Sequence, residues 1–431
     1  MWTLIVTAAA RAKPNVLLVN PDDMLSAYGA GWPAATAPPA TSFTAATGLT
    51  PHFDRIVTEG AAFSRAYSAS SMCSPSRAAL LSGRYPSRNV YASAETTTQL
   101  GSGVRTKVTV PWSFLTGAEL GNNVAAALQT CGYTTGFVGK VRRAACSPCL
   151  VSACLFTLPP LPPPLESNHP QWHLGINANT SDDGAWLPYT HGFKFVYHTL
   201  PYSNHWACDE SNRHSPSFPE ASSCFLYANA TLVQQPYSHH NLSAVFATDA
   251  TNFIAQSAAP SKALGAARIP FFLLYAFAHM HVSMFNGPEF DDTSANGLWG
   301  DGVREMDWAA GKVFDALKAN GVDNDTLVFF ISDHGPHIEL CLEGGSAGPL
   351  RGGKADSSWE GGMRVPGIIR WPAGIAAAGR VVDALASTMD IYATVRELAG
   401  AAPHSAAHPL DGALRTEVKL TFDCVRIRLT I

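Results

Sequence analysis

The pentapeptide Cys73-Ser74-Pro75-Ser76-Arg77 sets a thiol and a guanidinium one helical turn apart, and Ser74 and Pro75 suit the start of a helix. A side chain at residue 73 would then sit at the positive end of a helix dipole, a favourable place for a bound oxyanion. Asp22-Asp23 and Asp333-His334 each follow a short apolar run. Polar groups thus fall at two strand ends, where ligands bind in α/β sheets. Read separately, Lys140 and Lys354, and His173, His279 and His281, are nearly worthless signals. Taken singly, a histidine of this kind is more often a satisfied structural group than a catalyst.

Those residues need elements to hold them. Asn15–Asn20, Thr135–Val138, Phe271–Phe277 and Leu327–Ile331 read as buried strands, and the first and last end on the two polar pairs. Helical patterns intervene at Pro51–Glu59, Ser76–Leu81, Val124–Gln129, Ser243–Ala255 and Val303–Asn320. Strands alternating with helices predict an α/β fold with a mostly parallel, doubly wound central sheet, whose strand ends are where ligands bind.

At 431 residues and 46% hydrophobic content, the chain can bury one large core or two unequal ones. The net charge of −4 carries no long like-sign runs, so there is no electrostatic footprint for nucleic acid. No stretch approaches the roughly 20 apolar residues of a transmembrane helix. Residues 1–12 have the short apolar run and small residues of a signal-peptide remnant, without its basic start. Sequons at Asn179, Asn229, Asn241 and Asn324 would be glycosylated in the secretory pathway. Cys208 and Cys224 bracket a polar stretch and either close it as a disulfide or remain thiols. Nine cysteines is an odd number, so at least one is unpaired or chemically special.

The run Cys73-Ser74-Pro75-Ser76-Arg77, followed by Ala-Ala-Leu-Leu-Ser-Gly83-Arg84, resembles the sulfatase signature Cys-X-Pro-Ser-Arg. The resemblance spans Pro14 to about Asp411 with gaps, and its motifs keep the family's order. It implies an alkaline-phosphatase-like α/β fold and hydrolysis of sulfate esters, nearest the arylsulfatase A branch. It also implies that a formylglycine-generating enzyme oxidises Cys73 to formylglycine. The hydrated aldehyde has two hydroxyls: one attacks sulfur, and the other later expels sulfate by collapsing back to the aldehyde. Asp22, Asp23, Asp333 and His334, with residue 73, match the family's metal ligands, implying Ca²⁺, or Mg²⁺ in some members; His334 stands where Asn is commoner. Arg77 would hold the hydrate oxygen. Gly132–Lys140 resembles the second signature, with Lys140 binding sulfate and His173 assisting as base. His281, chosen over His279, and Lys354 in Arg351-Gly-Gly-Lys354 would bridge sulfate and leaving oxygen. Ser203 falls where the arylsulfatase A branch carries a substrate-contacting serine.

The chain departs from that pattern in two places. Trp172-His173-Leu174-Gly175, which in the family directly follows Gly-Lys, is displaced by 31 residues. The intervening Val141–Gln171 holds seven of the 30 prolines and three cysteines and has no period, so it reads as an insertion or a translated in-frame intron. Cys146, Cys149 and Cys154 within it lack a fourth ligand for zinc. Residues 13–412 are expected to form the catalytic domain, with 413–431 an unassigned tail and the family's small antiparallel C-terminal subdomain truncated. The partner expected is a sulfated small molecule, glycan or lipid. The rival readings are a phosphonate or phosphate diester hydrolase of the same superfamily and a catalytically defective binding protein.

Overall fold

A computed structural model describes residues 13–24, 50–89, 95–99, 105–109, 123–140, 188–200, 226–229, 231–235, 237–260, 268–281, 284–375, 378–402 and 409–412. Twelve strands are described: β1 (Asn15–Asn20), β2 (Ala61–Tyr67), β3 (Glu95–Gln99), β4 (Arg105–Thr109), β5 (Thr134–Lys140), β6 (Phe195–Leu200), β7 (Leu226–Ala228), β8 (Thr231–Gln234), β9 (Phe271–Ala276), β10 (Thr326–Ile331), β11 (Arg364–Arg370) and β12 (Arg380–Ser387). Ten of them form one sheet in the order β12-β2-β11-β10-β1-β9-β5-β6-β7-β8, while β3 and β4 pair separately.

The sheet's centre, β10-β1-β9-β5-β6, is parallel throughout. All six residues of both β9 and β10 are buried, which is why they read as continuous apolar runs. Helices cover both faces. On one lie α1 (Pro51–Thr58), α4 (Leu242–Ala258) and α5 (Gly297–Ala319); on the other lie α2 (Cys73–Ser82), α3 (Val124–Thr130) and α7 (Thr388–Leu398). The short α6 (Glu360–Met363) precedes β11. The strand period of two sorts the core: Leu17 and Val19 of β1 join the first face's cluster, Val16 and Leu18 the second's. Each fully buried Leu or Val of this kind contributes about 1.5–3 kcal/mol relative to exposure.

Both flanks of the sheet depart from the parallel pattern. β11 runs antiparallel to β10 and β2, and β6, β7 and β8 pair antiparallel. Helix α2 begins at Cys73, earlier than its Ser76–Leu81 apolar pattern. Pro75 fits inside its first turn because the N–H that proline lacks has no intrahelical partner there. Helix α5 begins at Gly297, ahead of the Val303 that opens its apolar period, since Gly297, Gly300 and Gly302 weaken the sequence signal in its first turns. Among the described residues no helix is long and apolar enough to cross a membrane.

Candidate active site

The carboxyl ends of β1 and β10 lie side by side and deliver the two polar pairs. Asn20 Nδ2 donates to Ile331 O at 2.6 Å, Asp333 N donates to Pro21 O at 3.2 Å, and Asp23 N donates to Asp333 Oδ1 at 3.3 Å. From β9's end, His279 O accepts from Asp22 N at 2.8 Å. Asp23 takes a φ of 53°, a left-handed conformation that Asp tolerates better than most residues. The strand ends are thus knitted by two backbone bonds, with Asn20 and Asp333 side chains adding one each.

Cys73, the first residue of α2, is fully buried, and its Sγ lies 2.9 Å from His334 Nε2. One turn on, Arg77 Nε donates to Asp333 Oδ2 at 2.9 Å and its Nη2 reaches Asp22 Oδ2 at 3.3 Å. Ser76 Oγ fixes the helix to the strand end by donating to Asp333 O at 2.5 Å. Lys140, ending β5, pairs with Asp22; Lys354 Nζ pairs with Asp23 at 2.8 Å and 3.0 Å. Gly139, at φ 109°, lets β5 press on β9 beside Lys140, since a Cβ there would lie 1.9 Å from Ala276 O. A stack of glycines holds the opposite wall. A Cβ at Gly335 would lie 1.8 Å from Gly361 O, and one at Gly361 2.0 Å from Gly352 O. That contact chain joins His334 to the loop carrying Lys354.

Burial sets the electrostatics. It works to raise Asp22, but Lys140, Arg77, His281 and Lys354 overcome it and hold that carboxyl well below the ordinary range. Burial, with Asp22 and Asp23, pushes Asp333 up against Arg77 and His334. Burial lowers Lys140 against the pull of Asp22. Burial also opposes charge on His334, yet Asp333, Cys73 and Asp23 push its pKa up to about 9.

One ligand atom each from Asp22, Asp23, Cys73 and His334 lies within 4.8 Å of the others. Asp22 Oδ1 is buried with no hydrogen-bond donor, and Asp333 Oδ1 is 3.6 Å from His334 Nε2. A spare buried carboxylate oxygen among these donors fits a hard divalent cation, which would displace the proton from His334 on binding.

Of the residues singled out in the sequence, Asp22, Asp23, Cys73, Arg77, Lys140, Asp333, His334 and Lys354 come together. His281 is buried close enough for its charge to act on Asp22. His279 is engaged elsewhere, its Nε2 3.1 Å from Phe285 O and 3.6 Å from Glu305 Oε2. His173, Ser203 and residues 141–171 lie outside the described residues. Ser76, Ser332 and Asn20 lie within the motifs and strand ends named in the sequence but carry no assigned role there. Ser332 Oγ accepts from Met24 N at 3.1 Å, and its position beside Asp333-His334 was the available signal.

Carboxylates, cations, a thiol and a histidine gathered at the strand ends of an α/β sheet form a site suited to an oxyanion and a divalent cation. The chain belongs to the sulfatase family, whose sequence model matches residues 14–144 and 169–401. It is 39% identical to the arylsulfatase of Hemicentrotus pulcherrimus over 394 residues, covering 91% of this chain and 59% of that one. It is 31% identical to arylsulfatase A of Bos taurus, covering 93% of this chain and 68% of that one. The chain therefore spans less than two thirds of the length of the Hemicentrotus pulcherrimus protein. In fold it is similar to the crystal structure of Ps i-CgsB in complex with a neocarrahexaose, at a TM-score of 0.64 and 23% identity, covering 93% of this chain and 75% of that one.

Proposed function

We propose that the protein hydrolyses sulfate esters, using a formylglycine hydrate made from Cys73. The observation that carries this reading is the position of Cys73 Sγ. It sits at the amino end of α2, 2.9 Å from His334 Nε2 and beside Asp22 and Asp23, with Arg77, Lys140 and Lys354 around them. Three carboxylates face the side-chain cations of Arg77, Lys140 and Lys354 before anything binds. A divalent cation, expected to be Ca²⁺ with Mg²⁺ as the alternative, would be held by Asp22, Asp23, Asp333 and His334 and would neutralise charge on the sulfate oxygens. Asp22 and Asp23 would then serve the cation, and Lys140 and Lys354 would turn to the sulfate.

In this reading Arg77 orients the hydrate, one hydroxyl of which attacks sulfur while the ester's S–O bond breaks. His281 gives its proton to the leaving alcohol oxygen. Loss of a proton from the second hydroxyl, with His173 as base, closes the carbonyl and releases sulfate. Ser203 contacts the substrate's carrier. The catalytic domain is residues 13–412, with 141–171 an insertion, and maturation needs a formylglycine-generating enzyme. Secretory placement is supported by the sequons: Asn229, Asn241 and Asn324 are all exposed, as glycosylation requires.

The test joins mass spectrometry of the peptide containing residue 73 with turnover of an aryl sulfate. The expected result is the aldehyde mass together with calcium-dependent hydrolysis. An unmodified thiol in an active protein would sink the nucleophile assignment.

A further inference from the structure

Loop 351–360 has one side inside the site and one outside it. Inside, Lys354 pairs with Asp23. Outside, Arg351 and Trp359 are exposed, and the Arg351 guanidinium lies 3.7 Å from the centre of the Trp359 ring. Strand pairing places this exposed pair at the rim of the site. β2 is antiparallel to β11, which is antiparallel to β10, so Tyr67 at the end of β2 and Arg364 at the start of β11 share the sheet end that carries Asp22 and Asp333. Ser68 N donates to Met363 O at 2.8 Å, and Ala355 N to Ser71 O at 2.9 Å, which binds the loop to the segment leading into Cys73.

Stacking uses only the flat face of a guanidinium and leaves its in-plane N–H donors available. Among the described residues, no carboxylate or carbonyl accepts from Arg351. The nearby acids are engaged: Glu360 takes Tyr67 Oη at 2.9 Å and Arg364 Nη1 at 3.2 Å, and Asp356 takes Gly353 N at 3.2 Å. Arg351 is therefore a preordered, uncommitted cation. It lies three residues from Lys354, at most about 11 Å of chain away, which is the span of roughly two sugar rings.

We propose that Arg351, held on Trp359, is a second anion subsite that binds a sulfate or carboxylate group on the same molecule whose ester is cleaved. The inference rests on the sulfatase reading and sharpens it, because it selects polyanionic glycans over substrates with a single charge. A monosulfated aryl or steryl ester has nothing to place there. Arg351 supplies paired N–H donors to the second anion, while Trp359 keeps the guanidinium flat and fixed.

The test compares full-length wild type, Arg351→Gln, Arg351→Lys and Trp359→Ala on three substrates: an aryl monosulfate, a disulfated disaccharide, and a monosulfated disaccharide containing a uronate. The quantity read is kcat/KM on each disaccharide divided by that on the aryl ester. In Arg351→Gln this ratio should fall about tenfold, through KM, for whichever disaccharide carries the recognised anion. Arg351→Lys should recover part of it as a point charge, and Trp359→Ala should lower it less. A ratio unchanged in Arg351→Gln for both disaccharides overturns the subsite. If wild type cleaves none of the three, the sulfatase reading fails on its own. Calorimetric binding of the disaccharides then reads Arg351 alone: weaker binding in Arg351→Gln supports the subsite, and equal affinity overturns it.

Discussion

On α5, Asp301, Glu305 and Asp307 are as deeply buried as Asp22, Asp23 and Asp333 at the strand ends, yet the two sets are partnered differently. The α5 carboxylates accept from backbone. Asp301 takes Asp292 N at 3.0 Å and Ser294 N at 2.7 Å, Glu305 takes Gly287 N at 2.8 Å, and Asp307 takes His52 N at 3.1 Å and Phe53 N at 2.8 Å. Asp307 thus caps the first turn of α1, whose own Thr50 makes no side-chain cap. The strand-end carboxylates instead face side-chain cations, and Asp22 keeps an oxygen to spare. Backbone donors fix a loop permanently. Side-chain cations can be exchanged for another ion, so the spare oxygen marks the set that is open to one.

The largest expected break in that contrast comes from Cys73→Ala, which should lower aryl sulfate turnover by ~10⁴ or more while leaving the melting curve nearly unchanged, since the change removes a single sulfur atom. Next, Asp22→Asn should destabilise by roughly 3–5 kcal/mol by leaving Lys140 buried without its counter-ion. Wild type should gain about 2–3 kcal/mol when calcium exceeds its Kd a hundredfold, and the variant should not. Urea unfolding with and without a chelator measures both effects.

Asp307 tests the scaffolding set. Burial pushes its carboxyl up to about 7, against the donors of Phe53 and His52. The folded state therefore holds this proton where the unfolded chain has lost it. Its contribution is fully present below the unfolded value of 3.8 and is lost as pH rises through about 7. Asp307→Asn should flatten that slope, worth up to roughly 4 kcal/mol, in unfolding midpoints followed across the window. The smallest effect is at His198, whose hydrogen bond to Asp249 at 2.8 Å raises it against partial burial. That stability is full below the ordinary histidine value of 6.5 and fades as pH rises through the folded value. Asp249→Asn should move the His198 titration downward by NMR, at a cost under about 1 kcal/mol.

The parallel centre was legible because β1, β9 and β10 are uninterrupted apolar runs. β11 was not: Pro366 interrupts it beside a register shift between Val365 and Gly367, and proline demotes a strand reading. α7 left a usable sign, the capping box of Ser387 with Asp390, which went unread. At the site, the motifs named which residues would meet. They did not say that Lys140 would face Asp22 and Lys354 would face Asp23, because those pairings come from the order of strands in the sheet. Nor could spacing reveal that the Arg351 guanidinium lies over the Trp359 ring.

The glycine stack between His334 and Lys354 has an evolutionary consequence. At positions 335 and 361 any side chain would collide with backbone at 2.0 Å or less, and backbone cannot swing aside as the end of a long side chain can. Drift is closed there, so His334 and Lys354 are inherited as one block. A few residues away, Arg351, Ser357, Ser358 and Trp359 are exposed and free to change. The same loop can therefore change its exposed side over generations while its buried side stays fixed.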